Sequence, residues 1–270
     1  MDPTLFRSLA EALQYLTITR PDLSFSVNSI CQYMHAPTED HFLSLKHILR
    51  YVKGIVHHGL QLHRTSSYEL LAYSDADWAG CPDTQRFTSG YLIFFGPNLV
   101  SWCSKKQSIV SHSSAEAECR SLAITTAEVA WIVQLLRDLH PPLPSFPKIL
   151  CDNRSALVMA VNPITRSRSK HIVIDYHFVR ELIANGSLKV AFTPSHLQLA
   201  DSFTKGVSKP QFLLFHNKLH VIPSTTLSLQ GVIRQNPLLI DSFLDLRLFV
   251  IMYIYLFLVC RISQLYIHSI

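Results

Sequence analysis

Two carboxylates stand at the end of an apolar run in the stretch LLAYSDADWAG, residues 70–80. Side chains alternate between the two faces of a β-strand, so Asp75 and Asp77 share a face and repel each other. A positive group is therefore expected beside them. Alternatively, the strand simply ends here, because Asp and Gly favour turns and Gly80 follows closely. An EF-hand calcium loop is excluded, since Arg86 stands where that loop needs a bidentate glutamate.

Three further acidic residues lie at the ends of elements predicted along the chain. Glu116 opens a long predicted helix, Asp152 ends a strand in KILCDN, and Asp201 lies at the start of the last predicted helix in LADSFTK. With Asp75, four carboxylates from four elements could meet at one edge of a sheet. Hard oxygen ligands without thiolates or imidazoles favour Mg²⁺ or Mn²⁺. Two such ions roughly 4 Å apart suit in-line phosphoryl transfer, and hence phosphodiester hydrolysis.

Helical geometry selects Glu116 over Glu118 as the acid that points inward. At about 3.6 residues per turn, Glu116 lies on the side of Ala123 and Glu118 lies roughly opposite. Ala123 belongs to a ridge that we expect to pack on the sheet, formed by Cys119, Ala123, Ala127, Trp131 and Leu135.

Each acid also has a purely structural alternative, and the sequence leaves these open. Glu116 has the spacing of a capping box with Ser113. Asp152 could cap the next helix, and Asp201 could form an ion pair with Lys205 four residues later.

Histidine and basic residues add two further candidate roles. His196 lies five residues before Asp201 in a predicted loop, where it could shuttle protons or be an ordinary surface histidine. The segments SWCSKKQ and TRSRSKH concentrate basic side chains, which either contact phosphates or are solvated loops. The candidate phosphate contacts are Lys105, Lys106, Arg166, Arg168 and Lys170.

The elements that must position these residues follow from hydrophobic periodicity. The first sixty residues predict three short helices separated by prolines. From about residue 67, three strands with short connections predict an antiparallel meander, followed by a long helix, a strand, two helices, a strand and a last helix. This order predicts an α/β fold with a mixed five-stranded sheet flanked by helices and preceded by a small helical region.

Composition indicates a globular protein of a reducing compartment. The 270 residues are 48% apolar and 16% charged, with a net charge of +5. Six cysteines form no CxxC pair, which argues against a zinc site and against a secreted disulfide framework. No secretory signal opens the chain. The longest apolar run, residues 248–260, is shorter than the roughly 20 residues of a membrane span, so a membrane anchor is not expected.

The ordered motifs YSDADWAG, TSGYLIFFG, SSAEAE, LCDNRSAL and LADSFTK resemble the ribonuclease H end of the copia-type LTR retrotransposon Pol polyprotein. The preceding stretch around LQYLTITRPDLSFSVN is similar to the segment that links reverse transcriptase to ribonuclease H in that family. The resemblance implies a ribonuclease H-like fold and cleavage of the RNA strand of an RNA–DNA hybrid with two Mg²⁺ ions, Mn²⁺ being an alternative. It implies no small-molecule cofactor.

Carried onto this chain, the family's metal-binding acids match Asp75, Glu116, Asp152 and Asp201, and its mobile-loop histidine matches His196. Recognition of the hybrid is expected to rest on 2′-hydroxyl and phosphate contacts rather than on base sequence.

The resemblance also divides the chain and suggests its context. Residues 1–66 are expected to be the helical connection from a reverse transcriptase, 67–221 the ribonuclease H domain, and 222–270 an apolar tail from read-through. The polymerase part of the parent polyprotein is the implied partner. The expected location is the cytoplasm, within a virus-like particle, or the nucleus. The competing function is an inert relic with the same fold that at most binds nucleic acid.

Overall fold

A computed structural model describes residues 2–63, 68–81, 83–140, 143–162 and 170–223, leaving the side chains of 170–174 outside that description. The helices are α1 Pro3–Leu16, α2 Ser24–Cys31, α3 Glu39–Gly54, α4 Ser114–Leu139, α5 Arg154–Val161, α6 Lys170–Ala184, α7 Asp201–Thr204 and α8 Lys209–Lys218. The strands are β1 His58–Leu60, β2 Leu70–Asp77, β3 Thr88–Phe95, β4 Asn98–Lys106, β5 Lys148–Cys151, β6 Lys189–Phe192 and β7 Val221–Pro223.

The first three helices pack around an apolar core of their own. α1 begins after Asp2, whose carboxylate accepts a hydrogen bond from the Thr4 N–H at 2.8 Å, and Thr38 caps α3. Their core consists of Phe6, Ala10, Leu13, Leu23, Val27, Ile30, Leu45 and Ile48. The predicted helical region is confirmed.

Five strands form a mixed sheet in the order β4-β3-β2-β5-β6. β2, β3 and β4 are antiparallel neighbours, and the two-residue turn between β3 and β4 uses Gly96 at a φ of 57°. β5 runs parallel to β2, and β6 runs parallel to β5. Parallel pairing needs a long crossover, which α4 supplies between β4 and β5. The predicted mixed five-stranded sheet is confirmed.

Helices cover both faces of this sheet, so β3, which lies between β4 and β2, is buried along its whole length. Ile93 and Phe95 pack with α4 and α6 on one face. Leu92 and Phe94 pack on the other face with Phe203 and residues of α8. The sequence of β3 from Tyr91 to Phe95 is therefore a continuous apolar run and not an alternating one.

A second, two-stranded sheet joins the helical region to the last described residues. β1 pairs antiparallel with β7, with Leu60 opposite Val221. Three-residue strands are too short to leave a periodic signal, and neither was predicted. β7 crosses the boundary predicted between residues 221 and 222, while the rest of the predicted tail, from residue 224, lies outside the described residues.

Helix α4 buries two sides at once. Leu122, Val129 and Ile132 pack in the core under the sheet, whereas Cys119 packs with Ala156 of α5 and residues of α6. Among the helices that the structure describes, α4 alone has the length and apolarity of a membrane span, and half of that stretch is buried inside the protein.

The predicted sheet-facing ridge of α4 is therefore wrong in part. Ala127 is exposed, and Cys119 packs with α5 and α6 as well as with Cys151 at the end of β5. A helix that lies between a sheet and two other helices buries an arc wider than one stripe, so periodicity alone does not tell which stripe meets the sheet.

Candidate metal centre

Asp75 lies near the carboxyl end of β2, in the middle of the sheet. It is opposite Gly90 of β3 and only 1% exposed. Its carboxylate accepts a hydrogen bond from the Thr204 hydroxyl. The Ser121 hydroxyl of α4 donates to its backbone carbonyl at 2.7 Å. Elements on both faces of the sheet thus hold this carboxylate in place.

Gly90 allows α7 to lie directly on the sheet beside Asp75. A Cβ at this position would be 2.7 Å from Thr204 Cγ2 and 2.8 Å from Phe203 Cβ, closer than real side chains pack. Because α7 carries Thr204 and begins with Asp201, the missing side chain at Gly90 brings both residues to Asp75.

Asp152 and Asp201 approach the carboxyl end of β2 from two other elements. Asp152 directly follows β5, the parallel neighbour of β2, and its Oδ2 accepts a 2.7 Å hydrogen bond from the Ser195 hydroxyl. Asp201 is the first residue of α7 and is 4% exposed. One carboxylate oxygen from each of Asp75, Asp152 and Asp201 lies within 4.8 Å of the others. The structure therefore brings together three of the four predicted acids.

The glutamate at this edge is Glu118. Its carboxylate is buried and is repelled by Asp75 and Asp152. A Glu118 oxygen, the Cys151 sulfur and an Asp152 oxygen lie within 4.8 Å of one another. The prediction that Glu118 points outward is wrong, because the stripe of α4 that begins at Glu118 is the one that meets the sheet.

Glu116 has a different environment at the N-terminus of α4. Its carboxylate accepts a hydrogen bond from the His112 N–H at 3.0 Å and pairs with Arg120 at 3.1 Å, while its own N–H donates to the Ser113 hydroxyl. Of the side-chain clusters in the described ranges that could hold a metal, none includes Glu116. Half of the capping box with Ser113 is thus present, because the Glu116 carboxylate accepts from the His112 N–H and not from that of Ser113, and it is Glu118 that lies in the acidic cluster.

Crowding of these carboxylates raises their pKa values. Burial first, and repulsion by Asp75 second, raise the pKa of Asp201 to about 7. Burial, then Asp75 and Asp152, raise the pKa of Glu118 well above its usual range. Burial also raises the pKa of Asp75, although Lys205 and the Thr204 hydroxyl oppose that rise. The ionised cluster is therefore costly unless cations compensate it.

One ammonium group lies against the cluster. Lys205 Nζ is 2.9 Å from Asp201 Oδ1 and 3.7 Å from Asp75 Oδ2. The ion pair that the sequence offered as an alternative role for Asp201 is therefore present, and Asp201 nevertheless belongs to the cluster. Asp201 Oδ1 is buried and has no well-directed hydrogen bond, so it keeps acceptor capacity for a cation.

The donor set fits a hard divalent cation. Asp75, Asp152 and Asp201 form one group of oxygen ligands, and Glu118 joins Asp152 in a second, so Asp152 is common to both. Burial raises the pKa of the Cys151 thiol, which keeps it protonated and leaves ligation to the carboxylates. Oxygen-only groups of this kind suit Mg²⁺ or Mn²⁺.

Asp77, the second acid of the opening motif, is the last residue of β2 and is half-buried. Burial, with repulsion from Asp75, raises its pKa, and Lys205 opposes that rise. The positive group that the sequence predicted near Asp75 and Asp77 is therefore Lys205.

The remaining predicted residues surround the cluster to different degrees. His196 is exposed in a 3₁₀ turn, Ser195–Leu197, next to the serine that binds Asp152. Lys105 is exposed on β4, and Lys106 Nζ contacts Cys81 Sγ at 2.7 Å. Arg166, Arg168 and the Lys170 side chain lie outside the described residues.

The sequence prediction rejected Glu118 in favour of Glu116 and did not include Thr204, although both shape the site. Glu118 is the start of a stripe of buried α4 residues that continues through Leu122, Thr125 and Val129, a spacing visible in the sequence. Thr204 left no local signal, because its contact with Asp75 depends on how α7 packs against Gly90.

Sequence comparison relates the chain to transposon polyproteins. It is 48% identical over 221 residues to the retrovirus-related Pol polyprotein from transposon RE2 of Arabidopsis thaliana, covering 82% of this chain and 15% of the polyprotein. It is 32% identical over 210 residues to the corresponding polyprotein from transposon TNT 1-94 of Nicotiana tabacum, covering 77% and 16%. The chain thus spans about a sixth of the length of these relatives. No family model matches it.

Structural comparison finds ribonucleases H. RNase H1 of the archaeon Halobacterium salinarum aligns with 50% of this chain and 94% of its own at 14% identity, with a TM-score of 0.38. That score is low, and the fold assignment rests on the sheet order and layers described above. The chain is therefore a homologue of one segment of the retrovirus-related Pol polyproteins of plant transposons, as its resemblance to copia-type polyproteins predicted.

Proposed function

We propose that this chain is a metal-dependent ribonuclease H, which hydrolyses the RNA strand of an RNA–DNA hybrid. The observation that carries the proposal is the convergence of Asp75, Glu118, Asp152 and Asp201, from four separate elements, at one edge of the sheet. The choice of substrate rests on the sequence resemblance to the ribonuclease H end of copia-type Pol polyproteins.

In this proposal the carboxylates are the metal ligands. Asp75, Asp152 and Asp201 would hold one ion, and Asp152 with Glu118 would hold a second. Divalent ions bound there supply an activated water and stabilise the leaving oxygen during phosphodiester hydrolysis. Thr204 and Ser195 fix two of the ligands by donating hydrogen bonds to Asp75 and Asp152. Held in this way, the ligands need little rearrangement when metal binds.

Residues other than the metal ligands are proposed to handle protons and the nucleic acid. His196 is exposed beside Ser195, where it can accept and release a proton at the edge of the cluster. Lys105, Lys106, Arg166, Arg168 and Lys170 remain the proposed phosphate contacts, with the hybrid recognised through its backbone and 2′-hydroxyls.

The relatives suggest a wider context for this activity. Since the chain matches only a segment of each Pol polyprotein, we propose the polymerase part of such a polyprotein as a partner, and the cytoplasm or a virus-like particle as the location. Because this recognition rests on phosphate contacts, binding of the hybrid is expected to weaken as the salt concentration rises.

Cleavage of an end-labelled RNA–DNA hybrid tests the proposal. The full chain is assayed with Mg²⁺ and with Mn²⁺, beside Asp75→Asn and with an RNA duplex as the substrate control. Cutting of the hybrid alone, lost in Asp75→Asn, is expected. A folded protein that binds the hybrid and cuts nothing would instead support the inert relic.

A further inference from the structure

The ammonium group of Lys205 lies where a metal ion would need oxygen ligands. Its Nζ is 2.9 Å from Asp201 Oδ1, an oxygen that is buried, and 3.7 Å from Asp75 Oδ2. Both carboxylates belong to the group whose oxygens lie within 4.8 Å of one another. The lysine and a divalent cation would therefore compete for the same oxygens.

The position of Lys205 in the chain makes this contact persistent. Lys205 directly follows α7, and it is four residues after Asp201, the spacing at which helical side chains meet. Gly90 fixes α7 on the sheet, so the base of the lysine side chain is held close to Asp75. The side chain itself is 40% exposed, which gives its flexible stem room to move toward solvent.

Charge also favours the contact in the absence of metal. Asp75, Asp152 and Asp201 all act on Lys205 and raise its pKa, although its own burial opposes them. The protein thus carries a positive group that partly compensates a cluster otherwise repelling itself. A divalent ion at the same oxygens would meet the repulsion of this ammonium group.

We propose that Lys205 is a built-in counter-ion that a divalent metal must displace from Asp75 and Asp201. By pairing with these two carboxylates, Lys205 stabilises the metal-free protein and weakens metal binding. The inference rests on the metal centre of the proposed function, but it concerns binding of the metal and not cleavage of the substrate.

Titration calorimetry with Mn²⁺ tests the inference on the full chain at pH 8.5, where proton competition is small. Lys205→Gln is expected to bind Mn²⁺ roughly tenfold more tightly than the wild type, because the competing charge is gone. Lys205→Arg keeps the charge and is expected to bind no more tightly than the wild type. Lys209→Gln, which removes an exposed charge four residues later, is the matched control and is expected to leave the affinity unchanged.

Thermal unfolding provides a second readout that does not depend on activity. In EDTA, Lys205→Gln is expected to melt below the wild type, and saturating Mn²⁺ is expected to raise its melting temperature more than that of the wild type. Circular dichroism confirms that each variant is folded.

Unchanged or weaker Mn²⁺ binding by folded Lys205→Gln would overturn the inference, as would an absence of Mn²⁺ binding in both proteins. Failure of the proposed function looks different. If Lys205→Gln shows the expected change in Mn²⁺ affinity but the protein cleaves no hybrid, the counter-ion role of Lys205 stands and only the proposed nuclease activity is refuted.

Discussion

Replacing the two glutamates at the start of α4 separately distinguishes their roles. Glu118→Gln and Glu116→Gln are both isosteric substitutions of a carboxylate by an amide, at positions two residues apart. Because Glu118 lies against Asp75 and Asp152, we expect Glu118→Gln to lower hybrid cleavage by at least about a hundredfold, or about 2.7 kcal/mol of barrier. Glu116→Gln is expected to retain cleavage within a few fold.

The two substitutions are expected to change stability in opposite directions. In EDTA at pH 8, Glu118→Gln replaces a buried carboxyl group that faces other carboxylates with a neutral amide, so the free energy of unfolding should rise by on the order of 2 kcal/mol. Glu116→Gln loses the ion pair with Arg120 and a negative charge at a helix N-terminus, so its free energy of unfolding should fall by about 1 kcal/mol.

The assays are hybrid cleavage in Mg²⁺ and urea unfolding in EDTA, with both variants purified beside the wild type. Loss of cleavage in Glu116→Gln together with full activity in Glu118→Gln would refute the assignment of the site. A destabilised Glu118→Gln in EDTA would contradict the argument that its carboxylate is repelled in the metal-free protein.

Three further results are expected. Gly90→Ala should lower stability by about 1–3 kcal/mol and weaken Mn²⁺ binding, because the added methyl collides with Thr204 and displaces α7; calorimetry and thermal unfolding measure both effects. In EDTA, stability should fall as the pH rises from about 4 to about 7, since the pKa of Asp201 is raised to about 7 in the folded state and lies near 3.9 when unfolded. Asp201→Asn should flatten that part of the melting-temperature profile, and an unchanged slope would contradict it. Slight burial raises the pKa of Cys81, but contact with Lys106 outweighs it and lowers the pKa to about 7. Alkylation of Cys81 by iodoacetamide, followed by mass spectrometry, should therefore be half-maximal near pH 7, and this midpoint should move to higher pH in Lys106→Gln.

Much of the architecture was predictable because it depends on local patterns. The periodicity of apolar residues predicted the three N-terminal helices, the meander and the long helix, and all of them are present. Asp75, Asp152 and Asp201 could be placed at one edge because each stands where a predicted strand ends or a helix begins. The element that carries an acid and its position in that element are properties of nearby sequence.

The choice between Glu116 and Glu118 was decided only by tertiary structure. Both residues are buried, so burial alone does not distinguish them. One side of α4 contacts the sheet, and another side contacts α5 and α6. The helix alone therefore does not show which buried side faces Asp75.

The sequence by itself determined that this protein has an α/β sheet with carboxylates at its edge, since strand and helix periodicities and the acids that follow them are encoded within short segments. Tertiary packing decided which glutamate completes the cluster, that the Lys205 ammonium lies between Asp75 and Asp201, and that β1 pairs with β7. These contacts join residues through the close approach of separate elements, and that approach depends on side-chain volumes, such as the missing one at Gly90, throughout the folded core.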